Sequence, residues 1–294
     1  MLSLATILRF VFGASMPKHF MYVCLALLAF AANSILCRYG LSEGWIDPAS
    51  FTFIRLLSGA VTLIILCLIS LKKIDRPKQQ HWLGASFLLV YAVTFSFAYI
   101  SLDTATGALI LFGTVQLLMI STSLIKGQRL SATEWCGFTL ACIGFLILTA
   151  PHVTQPSWSG LFLMIIAGLG WGLYTLNGKG SKQPLMDTAL NFSIATVPAV
   201  LLFVFITELH ITTVGVLIAI ASGALASGIG YAVWYAALPH LTTTQAATSQ
   251  LLVPVIAGLG GVLLLNEAIS LSLTIAACLV LGGVYLVISV KVAQ

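Results

Sequence analysis

Ten long apolar stretches dominate the sequence and restrict the environment in which the chain can fold. They cover residues 20–39, 48–70, 79–101, 104–124, 132–150, 158–177, 186–208, 212–238, 242–264 and 270–290. An α-helix needs about 20 mostly apolar residues to cross the hydrocarbon core of a bilayer, and only helices and closed barrels satisfy their backbone there. Only 7% of the residues are charged, against about 25% in a typical soluble domain. The sequence therefore predicts an all-α integral membrane protein with ten transmembrane helices.

The basic residues predict how these helices are oriented. With a cytoplasmic amino terminus, 11 of the 13 Lys and Arg residues lie on the cytoplasmic side, whereas Arg38 lies outside and Arg55 lies within the second span. The eleven are Arg9, Lys18, Lys72, Lys73, Arg76, Lys78, Lys126, Arg129, Lys179, Lys182 and Lys291. Because positive charge concentrates in cytoplasmic loops, we predict a multi-pass protein of the bacterial inner membrane with both termini in the cytoplasm.

The same charges bear on the partners. They are scattered through short loops rather than gathered in a basic run with interleaved aromatic residues, so we expect no nucleic-acid partner. The expected partners are the lipid bilayer and a small-molecule substrate. The oligomeric state is left open.

Two parts of the chain resemble each other, which indicates an internal duplication. Tyr99-Ile-Ser-Leu102, at the end of the third span, resembles Tyr235-Ala-Ala-Leu238, at the end of the eighth. We therefore predict two five-helix repeats, residues 20–150 and 158–290, preceded by a lead-in of residues 1–19. Because five is odd, the second repeat enters the membrane upside down. Inverted repeats of this kind are typical of alternating-access transporters, which hold the substrate between the two halves.

Short motifs along nearly the whole chain add to this prediction. They are Ala31-Ala-Asn33-Ser34 with Arg38, Ser50-Phe-Thr-Phe-Ile-Arg55 with Gly59, Tyr99-Ile-Ser-Leu102, Tyr235-Ala-Ala-Leu238, Pro254-Val255 and Asn266-Glu267. In order and spacing they resemble the drug/metabolite transporter superfamily, specifically its ten-helix EamA branch. The resemblance implies alternating-access export of small metabolites. Amino-acid exporters are the best match, while other members move purines, vitamins, sugars or drugs.

The chain also departs from the family pattern. Gln116 stands at the first-repeat position that matches Pro254, and Arg129 at the position that matches Glu267. Phe30 occupies a position where the family commonly has Trp, although Trp171-Gly172 keeps that pair in the sixth span. These differences concern the site more than the fold.

Arg55 is the one charge that we place inside the bilayer, about eight residues from the outer end of its span. A charge at that depth costs at least about 2.5 kcal/mol and usually faces a cavity or a partner. One interpretation is that Arg55 binds a substrate carboxylate or closes a gate. The other is a packing role, in which the guanidinium bonds backbone carbonyls or extends to the interface.

Aromatic residues form the second group of candidates for substrate binding. They are Tyr91 and Tyr99 in the third span, Trp171 and Tyr174 in the sixth, and Tyr231, Trp234 and Tyr235 in the eighth. The pairs at i, i+3 and i, i+4 share a helix face, so they predict an aromatic cavity for an amphipathic solute. The alternative is an interfacial belt, which suits the residues near span ends, Tyr99, Trp234 and Tyr235, better than Tyr91 or Trp171.

Amides and prolines within the spans complete the set. Asn33, Gln116 and Gln250 are predicted either to contact substrate or to bond between helices, and the two glutamines lie on equivalent helices of the repeats. Pro198 and Pro254 fall inside the seventh and ninth spans, so we predict kinks there that act as hinges or are static. Asn177 is a weaker candidate.

The remaining polar residues favour a transporter over other classes. The five histidines fall at span ends or in loops, which predicts solvated or interfacial positions, and we expect no metal site and no cofactor. No carboxylate relay is placed mid-membrane, which favours facilitated export, and Asp103 at the outer mouth is the carboxylate to test.

An enzyme needs paired carboxylates or an activated nucleophile at depth, which we do not find. Inverted duplication disfavours a channel. We predict export of amino acids with hydrophobic or aromatic side chains, or else of another organic solute such as a purine, vitamin or drug-like compound.

Overall fold

Ten helices follow one another in the part of the chain that the structure, a computed structural model, describes. Those residues are 18–125, 127, 131–149, 157–205, 208–241, 246, 249–250, 252–268 and 271–292. The helices are α1 (Lys18–Ser42), α2 (Pro48–Ser70), α3 (Gln79–Ala98), α4 (Thr104–Ile125), α5 (Ala132–Thr149), α6 (Trp158–Gly178), α7 (Pro184–Ala199), α8 (Thr213–His240), α9 (Leu252–Leu265) and α10 (Leu271–Val292). The predicted lead-in, apart from its last two residues, lies outside this part.

Length and surface chemistry identify a membrane fold. Among the described residues, seven helices are long and apolar enough to span a bilayer, and α9 and α10 contribute shorter apolar stretches. On α2, the exposed side is a stripe of Leu57, Val61, Ile65 and Leu68 at helical spacing, whereas Arg55 on the same helix is buried. Apolar side chains facing outward and a polar side chain facing inward suit lipid as the solvent. The predicted all-α integral membrane fold is confirmed.

Local signals in the sequence explain where several helices begin. The Asp47 carboxylate accepts hydrogen bonds from the backbone N–H groups of Ala49 and Ser50 at 3.1 and 2.8 Å, and Pro48 occupies a first-turn position. Such an N-cap satisfies backbone donors that have no partner within the helix. In the second half, α7 likewise begins with a proline, Pro184. The two prolines start equivalent helices at opposite ends of the bundle.

The packing of the helices has two-fold symmetry. The contact of α3 with α6 is matched by that of α1 with α8. The contact of α4 with α6 is matched by that of α1 with α9, and the contact of α2 with α8 by that of α3 with α7. The remaining large contacts, α2 with α7, α4 with α9 and α5 with α10, join equivalent helices. Exchanging the first five helices for the last five therefore reproduces the same contacts. The two five-helix units are inverted repeats.

The ninth span differs from its prediction. Among its described residues, Ala246 and Ser249 are helical, Gln250 is in a turn, and a helix runs over Leu252–Leu265. Pro254 is therefore in the first turn of α9, where a proline breaks no helical hydrogen bond. Pro198 is the penultimate residue of α7, and the backbone continues as a 3-10 helix over Val200–Phe205. A hinge role for either proline stays a prediction.

Helix α8 contains a feature that the sequence did not predict. Residues Ala221–Ile229 form a π-helix between the α-helical segments Thr213–Ile220 and Gly230–Ala237. The wider winding of a π-helix brings residues five apart onto nearly the same face, and such segments are frequent at functional sites. In this protein the π segment faces α1 and α2.

Candidate binding site

A cluster of aromatic rings, which we call the ring cluster, fills the space between the two repeats. Its members are Phe30, Tyr91, Phe95, Tyr99, Trp171, Tyr174, Phe192, Tyr231, Trp234 and Tyr235. None is more than 5% exposed. Neighbouring ring centres lie between 4.7 and 6.4 Å apart, within the range of favourable aromatic pairs. The rings come from both repeats, as a site between two inverted halves requires.

Trp171 lies at the centre of the ring cluster. Its ring centre is 4.7 Å from that of Tyr231, 5.2 Å from Phe30 and 5.3 Å from Tyr91. Its indole Nε1 donates a hydrogen bond to Gln250 Oε1 at 2.9 Å, and Gln250 Nε2 donates to the Ala246 carbonyl. Gln250 thus fixes the central ring, so the predicted site residues Trp171, Tyr91, Tyr231 and Gln250 belong to one assembly.

The interfacial-belt interpretation of the residues near span ends is wrong. Tyr99, Trp234 and Tyr235 are 0%, 0% and 3% exposed. The Tyr235 hydroxyl donates to the Tyr174 carbonyl at 3.2 Å, and the two rings meet edge to face. Tyr99 joins the cluster through Phe95, with ring centres 4.8 Å apart. Being near the end of a span does not place a side chain in the interface when neighbouring helices cover it.

Arg55 is enclosed in this apolar surrounding. The residue is 1% exposed. Its guanidinium carbon lies 5.3 Å from the ring centre of Tyr91 and 5.0 Å from that of Phe95, within cation–π distance. Its Nε and Nη1 atoms are buried and have no hydrogen-bond partner. Extension to the interface is therefore wrong for this residue, and these two donors are open to an anionic group.

Asn33 is bonded within the protein. Its Nδ2 donates to the Tyr91 hydroxyl at 3.0 Å, while its Oδ1 accepts from Ser222 at 2.6 Å and Ser227 at 3.4 Å. The two serines are five residues apart, and both reach the same oxygen because they lie in the π segment of α8. Asn33 thus holds the Tyr91 ring beneath Arg55.

The other predicted candidates are a buried glutamine and two prolines near helix ends. Gln116 is buried in α4 at 1% exposure, and Pro198 and Pro254 lie at the helix ends given above. Sequence analysis missed Phe30, Phe95, Phe192 and the serines of α8. A phenylalanine in an apolar span carries no signal that separates a site residue from lipid-facing surface.

One end of the bundle is closed by polar contacts; we call it the Arg38 end. Arg38 Nη1 donates to the carbonyls of Tyr99 and Ile100 at 2.9 and 3.0 Å. Its Nε lies 3.4 Å from Glu267, and its Nη2 lies 3.5 Å from Asp103. Glu267 also accepts from the backbone N and the hydroxyl of Thr104, each at 3.0 Å. These contacts tie α1, the α3–α4 turn and the α9–α10 connection together.

A polar cavity opens at the other end, which we call the His81 end. Its volume is about 520 Å³, and Lys78, Lys179, Lys182, Asp75 and Asp187 lie along its wall. At its edge, His81 Nε2 lies 2.9 Å from Asp187 Oδ1.

His81 itself corrects a prediction. Its Nδ1 accepts from the Lys78 backbone N–H at 2.8 Å, so in the neutral ring the proton is on Nε2 and is donated to Asp187. The residue is 4% exposed. Of the solvated or interfacial positions predicted for the histidines, a solvated position is therefore wrong for His81. Asp187 lies in the first turn of α7 and was not among the predicted residues.

Comparison with known proteins agrees with this architecture. The model of the EamA-like transporter family matches the chain twice, over residues 18–150 and 158–289. An uncharacterized protein of Pseudomonas aeruginosa is 46% identical over 92% of this chain and 94% of its own. A protein of Escherichia coli named "probable amino-acid metabolite efflux pump" is 22% identical over 89% of this chain and 92% of its own. A solved crystal structure with 18% identity superposes with a TM-score of 0.65 and covers 99% of both chains.

Fold and sequence together define a class of protein: a multi-pass helical membrane transporter. More particularly, the chain belongs to the EamA-like transporter family.

Proposed function

We propose that this protein exports amphipathic metabolites across the bacterial inner membrane, and that its substrates are amino acids with hydrophobic or aromatic side chains. The observation that carries the proposal is Arg55, a buried cation with two unpartnered N–H groups among aromatic rings. The name of the Escherichia coli relative supports the same substrate class.

The chemistry of the ring cluster matches both ends of such a substrate. A carboxylate is the natural partner of a guanidinium, because the planar fork of N–H groups binds two oxygens at once. An isolated buried charge is costly until it is paired, so substrate binding relieves a cost that the empty protein bears. The surrounding rings offer an apolar surface to the side chain.

The mechanism follows from the closed and open ends. We propose that the units 20–150 and 158–290 rearrange about the ring cluster to expose it alternately at each end. The polar ties of the Arg38 end and the cavity at the His81 end support a conformation that faces the His81 end. Lys72, Lys73 and Lys78 lie at that end, so the positive-inside rule places it in the cytoplasm, from which an exporter loads.

Counterflow in proteoliposomes tests the class of protein. Trapped unlabelled L-phenylalanine is expected to drive transient accumulation of labelled L-phenylalanine, because a carrier exchanges substrates across alternating conformations. A channel gives no such accumulation. A panel that includes purines and vitamins checks the substrate class, and exchange of those compounds without any amino acid would overturn it.

Replacing Arg55 tests the carboxylate role. Arg55→Gln is expected to weaken competition by L-phenylalanine about 10- to 100-fold, the value of one or two hydrogen bonds to a charged group. Competition by phenylethylamine, which lacks a carboxylate, is expected to be unchanged. The matched control is Arg76→Gln, an exposed loop position. Equal losses for both compounds would assign Arg55 to packing.

A further inference from the structure

Two asparagines that the function proposed above does not use line the cavity at the His81 end. Asn191 in α7 and Asn177 in α6 both line it. Asn191 is 6% exposed, and its Oδ1 is buried without a hydrogen-bond partner. Its Nδ2 has one long contact, 3.5 Å from the Tyr174 hydroxyl. A buried amide oxygen without a donor is uncommon and is expected to have a ligand or a functional reason.

The residue opposite the two amide groups is a glycine, which has no side chain. A Cβ atom at Gly84 of α3 would lie 2.9 Å from Asn191 Nδ2 and 3.1 Å from Asn177 Nδ2. Any other residue at this position would crowd both amides, so glycine preserves the place where they converge. At this part of the cavity wall, α3, α6 and α7 therefore come together around the two amides.

We propose that Asn191, together with Asn177, forms a subsite for the primary ammonium group of the substrate, which binds there before the substrate reaches Arg55. This inference rests on the proposed function. An ammonium group has three N–H donors and no acceptor, so it complements the unpartnered Oδ1 of Asn191. The cavity wall carries lysines that attract the carboxylate of a zwitterion, and its two aspartates already have partners, so Asn191 Oδ1 is an acceptor left for the ammonium group.

Contacts within the protein connect the subsite to the Arg55 site. They pass from Asn191 through the rings of Tyr174, Trp171 and Tyr91 to Arg55. In this proposal the substrate contacts Asn191 first and Arg55 afterwards.

The two residues are also equivalent under the two-fold symmetry. Arg55 follows Pro48 by seven residues, and Asn191 follows Pro184 by seven. Equivalent positions of the two repeats therefore carry a cation, Arg55, and a neutral hydrogen-bond acceptor, Asn191. The repeats have diverged into complementary halves of a zwitterion site.

Competition for transport by three related compounds tests this subsite in the full chain in proteoliposomes. The compounds are L-phenylalanine, phenylethylamine without the carboxylate, and phenylpropanoate without the amine. Asn191→Leu removes the acceptor at nearly constant volume. It is expected to weaken the two amines about 10-fold, as loss of a hydrogen bond to a charged group does, and to leave phenylpropanoate unchanged. Gln79→Leu, an exposed amide outside the cavity, is the matched control.

A second variant separates binding from folding. Asn191→Asp keeps an acceptor at the same place, so it is expected to retain the preference for amines over phenylpropanoate. Loss of that preference in Asn191→Asp, or equal weakening of all three compounds in Asn191→Leu, would overturn the subsite while wild-type transport of L-phenylalanine leaves the proposed function standing. A wild-type protein that recognises none of the three compounds would overturn the proposed function and the subsite with it.

Discussion

Among the buried polar side chains of the site, hydrogen bonding separates those that hold the structure from those left for a ligand. Asn33 and Gln250 bond to neighbouring helices and fix Tyr91 and Trp171. Arg55 and Asn191 keep buried atoms without partners. The sequence could single out Asn33, Arg55 and Gln250, because polar residues are rare in apolar spans. Which of them is satisfied depends on side chains that other helices supply.

Trp171 offers a test at the residue scale. Trp171→Phe keeps an aromatic ring between Phe30 and Tyr231 but removes the donor to Gln250 Oε1. A buried acceptor left unpaired costs about 1–3 kcal/mol, so we expect the free energy of unfolding in detergent to fall by that amount. Trp82→Phe is the control, since Trp82 is 60% exposed on α3. Equal stability of the two variants would contradict a structural role for the indole N–H.

Trp171→Ala addresses the side-chain pocket. Removing the central ring of the cluster is expected to weaken transport of L-phenylalanine more than that of L-alanine, because aromatic pairing adds about 0.5–1.5 kcal/mol beyond area burial. The measurement is the ratio of half-saturation constants for the two amino acids. A uniform change would assign Trp171 to packing alone.

The π segment of α8 shows how one helix is adapted to its neighbours. Gly223 lies in it, and a Cβ atom there would collide with the Arg55 carbonyl oxygen and with Ser58. Close backbone approach through a small residue is typical of membrane helix pairs. The sequence did not predict the π-helix itself, because its serines form hydrogen bonds with Asn33, which lies on a different helix, α1.

Gly223→Ala tests this contact at the element scale. The backbone of α2 blocks the added methyl group, so we expect a loss of about 1–3 kcal/mol in stability, as for overpacking. The control is Gly282→Ala in α10, where nothing lies within 4 Å of the added atom; that change is expected to be neutral or to stabilise the helix by up to about 1 kcal/mol. A Gly223→Ala protein as stable as the control would show that α2 and α8 can separate at little cost.

At the Arg38 end of the molecule, ion pairs and hydrogen bonds connect the helices. At the His81 end, the helices surround a polar cavity. Glu267 accepts hydrogen bonds from Thr104, forms an ion pair with Arg38 and is largely covered, whereas the Asp103 side chain is 54% exposed. An exposed ion pair contributes about 0–1 kcal/mol, while a covered carboxylate with several donors contributes more. Glu267, which is more covered than Asp103, is therefore the carboxylate that holds the Arg38 end together.

Glu267→Gln tests this closure. The change removes the charge that Arg38 and Thr104 bind, so we expect the Arg38 end to open more often and Cys37, which is buried beside Arg38, to react faster with a maleimide. A shift of about 1.4 kcal/mol gives a ten-fold rate increase, measured by mass spectrometry of the labelled peptides.

Two comparisons within the same experiment make it specific. Asp103→Asn is expected to change the rate at Cys37 less than two-fold, roughly what a surface ion pair allows. Cys67, buried near the His81 end with its thiol 3.7 Å from the Leu185 carbonyl, is expected not to react faster. Faster labelling of both cysteines would indicate general loosening rather than opening at one end.

The sequence by itself determined the membrane environment and the all-helical fold, because the apolar spans follow from composition and length. It predicted the inverted duplication from motifs that recur five spans apart. It also identified Arg55 as a buried charge. Only the tertiary structure decided that Tyr99, Trp234 and Tyr235 face the interior, that His81 is buried against Asp187, and that Asn191 has an unpartnered oxygen. The physical reason is that burial and hydrogen-bond partners here come from helices far apart in the chain, and each helix carries apolar residues on both its lipid side and its inner side.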